Sequence, residues 1–342
     1  MNLHENPEVF EELILATASE LRIPTGVVEK DYFVTIVLKL LTSRIENIVF
    51  KGGTSLTKGY QLLERFSEDI DLTFDANNGK PSESTKKKLK QIIISTFEEL
   101  NFPVSNISEI KSRRNYNCYR AEYPTIYPKL DYIKSELIVE TYVALLSFPT
   151  TIRKIDNYIY RFLKSIDRMD LIIKYDLEPF EVKTQMVERT LVDKLFAICD
   201  YYLESQISGH SRHIYDIHMI IDNYGIPENF LSLISEVKLA RKHLPNCPSA
   251  KSGVDILQLL NDIIHKDVYK SDYEMITTNL LFKNVPYELA IGSLKQVIAS
   301  GLWKKIVVMV LRFFFVHVGE ICAIMKFTEN NATFNRSRFQ NL

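Results

Sequence analysis

Phe50-Lys51-Gly52-Gly53-Thr54-Ser55-Leu56, followed by Arg65-Phe66-Ser67-Glu68-Asp69-Ile70-Asp71-Leu72, decides the reading of this chain. It spells a short strand, a glycine turn, the start of a helix, and a second strand with two aspartates one residue apart. Side chains alternate faces along a strand, so Asp69 and Asp71 are expected on one face while Ile70 and Leu72 enter a core. Two carboxylates aimed at one spot repel unless a proton or a metal lies between them. An all-oxygen site of this kind suits Mg²⁺, which takes one or two carboxylates and completes its shell with substrate phosphates. Glycines let backbone approach a phosphate closely, and a helix start presents free N–H groups to it. Lys51, Gly52, Gly53, Thr54, Ser55 and Ser67 are therefore the expected phosphate-contacting set, and Asp69 and Asp71 the expected metal ligands.

Neither GxxxxGK[ST] nor GxGxxG occurs here, because Lys51 precedes the glycines instead of following them. The implied chemistry is metal-assisted work on a nucleotide by some other glycine-turn architecture.

The 342 residues suffice for two domains, and 46% hydrophobic with 25% charged residues is the balance of a globular protein with a sizeable core. A net charge of −1 excludes a global basic field, so any nucleic acid must be held by local patches. Lys86-Lys87-Lys88, and Lys111, Arg113, Arg114 and Arg120 among Tyr116 and Tyr119, are such patches. The four cysteines form no CxxC pair, which argues against a zinc ribbon or a disulfide framework and fits a reducing cytoplasm. No leader peptide is expected from the N-terminal residues. Ile306 to Met325 is apolar enough to attract a membrane reading, but it holds Arg312, His317 and Glu320. Each such charge costs about 2.5–3.5 kcal/mol near a bilayer centre, so no membrane association is expected.

Apolar spacing predicts helices over 7–22 and 25–42, the second capped by Thr25, then a strand over Ile45–Phe50 and a helix over Thr54–Arg65. A strand over Asp69–Phe74, a loop over Asp75–Ser84 and a helix over 85–100 follow. Tyr116–Glu122, Asp131–Tyr142 and Phe180–Lys183 read as further strands. Beyond about residue 184 the pattern is helical. The expected domains are 1–184, 185–305 and an atypical apolar tail, 306–342.

Val187, Leu191, Leu195, Ile198 and Tyr202 form a helix stripe with Lys194 at its margin. A lysine facing a core needs an anionic partner, and nucleotide phosphates are one. His210, His213 and His218 match no zinc spacing, whereas Arg212 and Asp216 suit the lining of a cleft beside Lys194.

Taken in order, these motifs resemble the AbiEii/AbiGii-type toxin nucleotidyltransferases of abortive-infection (phage-defence) and type IV toxin–antitoxin systems, which are similar to the DNA polymerase β-like superfamily. Glu29-Lys30-Asp31-Tyr32, the two opening stretches, Glu188-Arg189-Thr190 with Lys194, and Arg212-His213-Ile214-Tyr215-Asp216 carry the resemblance over about residues 20–300. It implies an α+β, polymerase-β-like core with a mixed sheet flanked by helices and a helical C-terminal domain. It implies that Asp69, Asp71, Lys194 and Asp216 form the active site, with Mg²⁺ (or Mn²⁺) and an NTP as substrate. It implies an RNA acceptor, in known members a tRNA 3′ end, and a cognate antitoxin that need not form a stable complex. A third metal-supporting carboxylate is expected on another strand, Glu136 first and Glu140 second. The interval from Gly53 to Asp69 is longer than is usual in the superfamily. Transfer to a protein hydroxyl, and a catalytically silent nucleotide-binding module, are the competing readings.

Overall fold

The computed structural model describes residues 1–127 and 134–300. The chain starts with helices α1 (Pro7–Leu21) and α2 (Thr25–Arg44), separated by Ile23-Pro24. Pro24, not Thr25, is the residue flanking α2, so the Thr25 hydroxyl lies inside the first turn and caps nothing. Then come β1 (Ile48–Lys51), α3 (Gly52–Lys58), β2 (Ile70–Phe74), α4 (Glu83–Glu99), β3 (Tyr116–Ala121), β4 (Leu137–Tyr142) and β5 (Thr150–Ile155). Helices α5 (Tyr158–Ser165) and α6 (Met169–Lys174) lead to β6 (Phe180–Gln185). Helices follow: α7 (Val187–Leu203), α8 (Arg212–Tyr224), α9 (Phe230–Arg241), α10 (Ile256–His265), α11 (Lys270–Met275) and α12 (Tyr287–Ala299). The architecture is the expected one, a mixed sheet with flanking helices followed by a helical part. The expected residues 131–133 of the Asp131–Tyr142 strand, and the 306–342 tail, lie outside the described residues.

Among the described residues the strands make one mixed sheet in the order β3-β4-β2-β1-β6-β5. β1 runs antiparallel to β2 and parallel to β6, while β2 runs parallel to β4. This register places one polar row across the sheet: Lys51 is opposite Asp71, Asp71 opposite Glu140, and Glu140 opposite Cys118. Edge strand β5 escapes sequence reading because its burial is slight and only Ile155 is fully buried.

Among the described residues the buried apolar side chains gather into two clusters. One joins α1, α2, α4 and α5 to the sheet, with Val28, Phe33, Phe50, Ile70, Leu72 and Phe97 all inaccessible to solvent. The other is built on α7, α8, α9, α10 and α12, around Leu191, Leu195, Ile214 and Leu294. The division falls near residue 184, except that Leu56, Leu62 and Leu63 belong to the second cluster. That exception explains why no helix continues to Arg65. After Lys58 the chain leaves helical geometry, with Gln61 at φ 51°, and crosses to the helical part. There Arg65 bridges Leu281 in antiparallel fashion. A buried polar seam completes the join. Asp193 accepts from Arg189 (3.1 Å), Arg241 (3.1 Å) and Gln185 (3.0 Å), and Arg189 Nη1 donates to the Phe148 carbonyl of the sheet side (3.0 Å). Among the described residues no helix is long and apolar enough to cross a membrane.

Candidate active site

Where β1 ends, Gly52 takes φ +78°, a conformation L side chains rarely adopt. A β-carbon on Gly52 would overlap Asp71 Oδ2, and one on Gly53 would lie 2.7 Å from Arg65 Nη2. The two glycines thus clear space for a carboxylate and a guanidinium at the mouth of a cleft of about 800 Å³ between the sheet and the helical part.

Asp69 precedes β2 and Asp71 lies within it. Both line the cleft, and Ile70 and Leu72 are fully buried behind them, as strand alternation requires. Burial pushes the Asp71 carboxyl up to about 7. Glu140 across the ladder adds to this, as does Asp69, while Lys51 and Lys194 oppose it. Asp69 accepts two hydrogen bonds from Lys134 Nζ, at 2.8 and 2.7 Å. Lys30 anchors the segment that carries Lys134: its buried ammonium donates to the carbonyls of Lys134 and Glu136 (2.6 Å each) and pairs with Glu68 at 3.3 Å. The rest of the Glu29-Lys30-Asp31-Tyr32 stretch is scaffold too. Glu29 accepts from Thr125 and Ile126, and Asp31 from Lys58 and Tyr158.

The raised Asp71 carboxyl has a consequence for stability. An unfolded aspartate ionises near pH 4, whereas the folded one keeps its proton to about 7. Folded protein therefore binds more protons than unfolded protein between those values, and stability falls as pH rises through that window. In metal-free buffer Asp71→Asn is expected to gain about 1–4 kcal/mol over wild type at pH 8, an advantage that shrinks towards zero near pH 4. Urea unfolding of both proteins at several pH values measures this. A difference independent of pH would contradict it.

The helical wall carries the cations. Lys194 of α7 lines the cleft, and its ammonium lies 2.6 Å from Asp216 Oδ2. Arg65 grips the same carboxylate in bidentate fashion, Nε to Oδ1 at 2.7 Å and Nη2 to Oδ2 at 2.9 Å. Asp216 is fully buried. Burial alone would raise its carboxyl, but Arg65 and Lys194 outweigh burial and hold it well below the usual carboxylate range. Two cations share one anion: burial lowers the Lys194 ammonium from its ordinary value, and the Asp216 carboxylate works against that. Arg212, at the start of α8, also lines the cleft and has no carboxylate partner among the described residues. Beside it, His213 is driven well below its ordinary value by burial and by the charges of Lys194 and Arg212, so it is a neutral ring.

Of the residues expected at the phosphates, Gly52, Gly53, Thr54, Ser67 and Lys194 line the cleft, with Thr54 Oγ1 and Ser67 Oγ 2.9 Å apart. Ser55 does not line it: it is fully buried and its hydroxyl donates to the Gly52 carbonyl at 2.8 Å. Nor does Lys51, which stands opposite Asp71 in the β1–β2 ladder and draws down the carboxyls of Asp71 and Asp193. Asp216 is behind the wall, not on it. Glu136 lies apart from the two aspartates: it precedes β4 and accepts from the Ser105 hydroxyl. Glu140, the second candidate, lies opposite Asp71 in the β2–β4 ladder and accepts from Tyr116 Oη at 3.1 Å. The two candidates sit four residues apart, and only the β2–β4 register separates them. His218 turns away towards Ser293 (2.8 Å).

The donor chemistry fits a hard divalent cation: Asp69 and Asp71 offer only oxygens, and the crowding of Asp71 by Glu140 and Asp69 is relieved by a cation. Among the described residues no three His, Cys, Asp or Glu side chains converge on one metal-sized point. Such a cation would therefore complete its shell with phosphate and water oxygens, the habit of Mg²⁺.

The sequence model of the family described as nucleotidyl transferase AbiEii toxin, type IV TA system, matches residues 41–290. Among solved structures, MenT4, a nucleotidyltransferase toxin from Mycobacterium tuberculosis H37Rv, aligns with a TM-score of 0.41 and 14% sequence identity, over 80% of this chain and 84% of that chain. No curated protein matches the chain.

Proposed function

The chain belongs to the AbiEii nucleotidyltransferase toxins of type IV toxin–antitoxin systems, and we propose that it transfers a nucleoside monophosphate from an NTP to an RNA acceptor, a tRNA 3′ end, with Mg²⁺ held by Asp69 and Asp71. One observation carries this reading: the Asp69/Asp71 pair and the basic side chains of Arg65, Lys194 and Arg212 line one cleft.

When bound, Mg²⁺ would offset the charge that develops on the phosphoryl oxygens and favour ionisation of the acceptor hydroxyl. The protein supplies the rest. Lys194 and Arg212 orient the β- and γ-phosphates. Thr54 and Ser67 offer hydroxyl donors at the glycine turn. Asp216 is a positioning residue that keeps Lys194 and Arg65 charged and aimed at the cleft. Lys134 balances Asp69, a charge that a divalent ion held there would share. Most of the rate enhancement in this scheme comes from positioning and fixed charge. The setting is the cytoplasm, where NTPs and tRNA meet, and the family implies a cognate antitoxin.

The test is to incubate the protein with each α-labelled NTP, Mg²⁺ and total RNA. Label on RNA 3′ ends is expected. Label that migrates with protein and resists RNase would favour a protein hydroxyl as acceptor. Tight NTP binding without transfer would favour a silent module.

In this proposal Glu140 supports Asp71 from the neighbouring strand and is not itself a metal ligand. Glu140→Gln is expected to lower transfer, or the apparent Mg²⁺ affinity, by about 10–100-fold, and Glu136→Gln by less than about twofold. Equal losses, or the reverse order, in Mg²⁺ titrations of activity would remove Glu140 from the site.

A further inference from the structure

One stretch of the cleft wall is apolar. Met275 and Ile276, at the end of α11, are 65% and 37% exposed, and with Leu280 they line the helical side of the cleft. Open apolar side chains grouped inside a charged cleft mark a surface that a ligand covers.

This lip is fixed relative to the cations. Asp272 accepts from the backbone N–H groups of Gly209 (2.7 Å) and Ser211 (3.0 Å), and the Ser211 and Thr277 hydroxyls lie 2.7 Å apart. Those bonds tie the lip to the turn that presents Arg212. On its other side Leu281 bridges Arg65, and Phe282 N–H donates to the Glu64 carbonyl at 2.8 Å. A ligand with phosphates on Arg212 and Lys194 therefore meets the lip with whatever else it carries. Two cations, one without a counter-ion, suit a polyphosphate better than the single phosphodiester of an RNA end. A nucleotide carries on its polyphosphate a flat base with apolar faces and a polar edge.

Asn279 adds a means of reading that base. Its Nδ2 donates to the Met275 carbonyl at 2.8 Å. A carbonyl only accepts, so this bond sets the orientation of the amide. Oδ1 is left as an acceptor on a cleft-lining residue, with no partner among the described residues. It can take a hydrogen from an exocyclic amine or a ring N–H.

We propose that Met275, Ile276 and Leu280 seat the base of the donor NTP and that Asn279 Oδ1 reads its edge. The proposal rests on the NTP-donor reading above and assigns the selectivity of that site. The experiment measures KM and kcat for each of the four NTPs, and KM for RNA, in wild type, Asn279→Leu and the double variant Met275→Ser/Ile276→Ser. Thermal melting confirms that these exposed changes leave the fold intact. The double variant should raise KM for the preferred NTP about tenfold or more with kcat much less affected, the scale set by removing apolar contacts from a pocket. Asn279→Leu should shrink the preference among the four NTPs by about tenfold or more, as loss of a base-reading hydrogen bond does. Unchanged NTP selectivity with a raised KM for RNA would assign the lip to the acceptor and overturn the proposal, leaving the NTP-donor reading intact. A wild type that transfers from no NTP would overturn both.

Discussion

Asp216→Asn lowers the unfolding free energy by about 3–5 kcal/mol and removes most nucleotide transfer, although the side chain does not line the cleft. The carboxylate is fully buried and is the shared anion of Arg65 and Lys194. Taking its charge away leaves two cations in a nearly dry site, with side chains only 4% and 7% exposed. Breaking a buried pair on one side is far costlier than replacing both partners. The activity loss has the same origin, because Arg65 must then move to reach water and Lys194 must move or lose its proton. Its signature is a raised KM for NTP together with the lowered melting temperature. A triple variant, Asp216→Leu/Lys194→Met/Arg65→Leu, should recover much of the stability and none of the activity. Denaturant unfolding and NTP titration measure both quantities. Wild-type stability in Asp216→Asn would refute the shared-anion account.

The second large effect concerns chemistry alone. If Asp69 and Asp71 hold the cation as proposed, Asp69→Asn and Asp71→Asn should each reduce transfer by about a thousandfold or more, because each removes charge at that position. Neither variant should unfold the protein. Asp71→Asn relieves a carboxyl already strained by burial and by Glu140, and so should be the more stable protein. Asp69→Asn frees Lys134, whose side chain is 44% exposed and can turn to solvent. Opposite signs in stability with a common loss of activity separate a functional role from a structural one. Labelling of RNA by either variant at the wild-type rate would sink the metal–nucleotide reading.

Much of the cleft lining was legible in advance for local reasons. The glycine turn, the strand alternation that puts Asp69 and Asp71 beside each other, and the stripe that turns Lys194 inward are all set within a few residues. Glu140 was harder. Glu136 and Glu140 both belong near one strand, and the difference between them is the pairing of β2 with β4, a contact between segments about 70 residues apart. Ser55 looked like a phosphate ligand by position and is a buried helix-start hydroxyl by geometry. The lip at Met275–Leu280 has no motif at all, since three apolar residues near a helix end read as core until their exposure is known.

The sequence by itself determined the family, the elements from α1 to β4 in their order, and the identity of the charged groups, because hydrophobic period and turn chemistry act over one or two turns of chain. Only the tertiary structure decided which charges meet. Arg65 finds Asp216 across 151 residues, and the longer interval after Gly53 is what lets it do so: Leu62 and Leu63 bury in the helical core and carry Arg65 with them. Burial of apolar surface is non-directional and long-range in sequence. It draws the glycine turn, the two aspartates and the cations of α7 and α8 into one cleft, an outcome that no local pattern records.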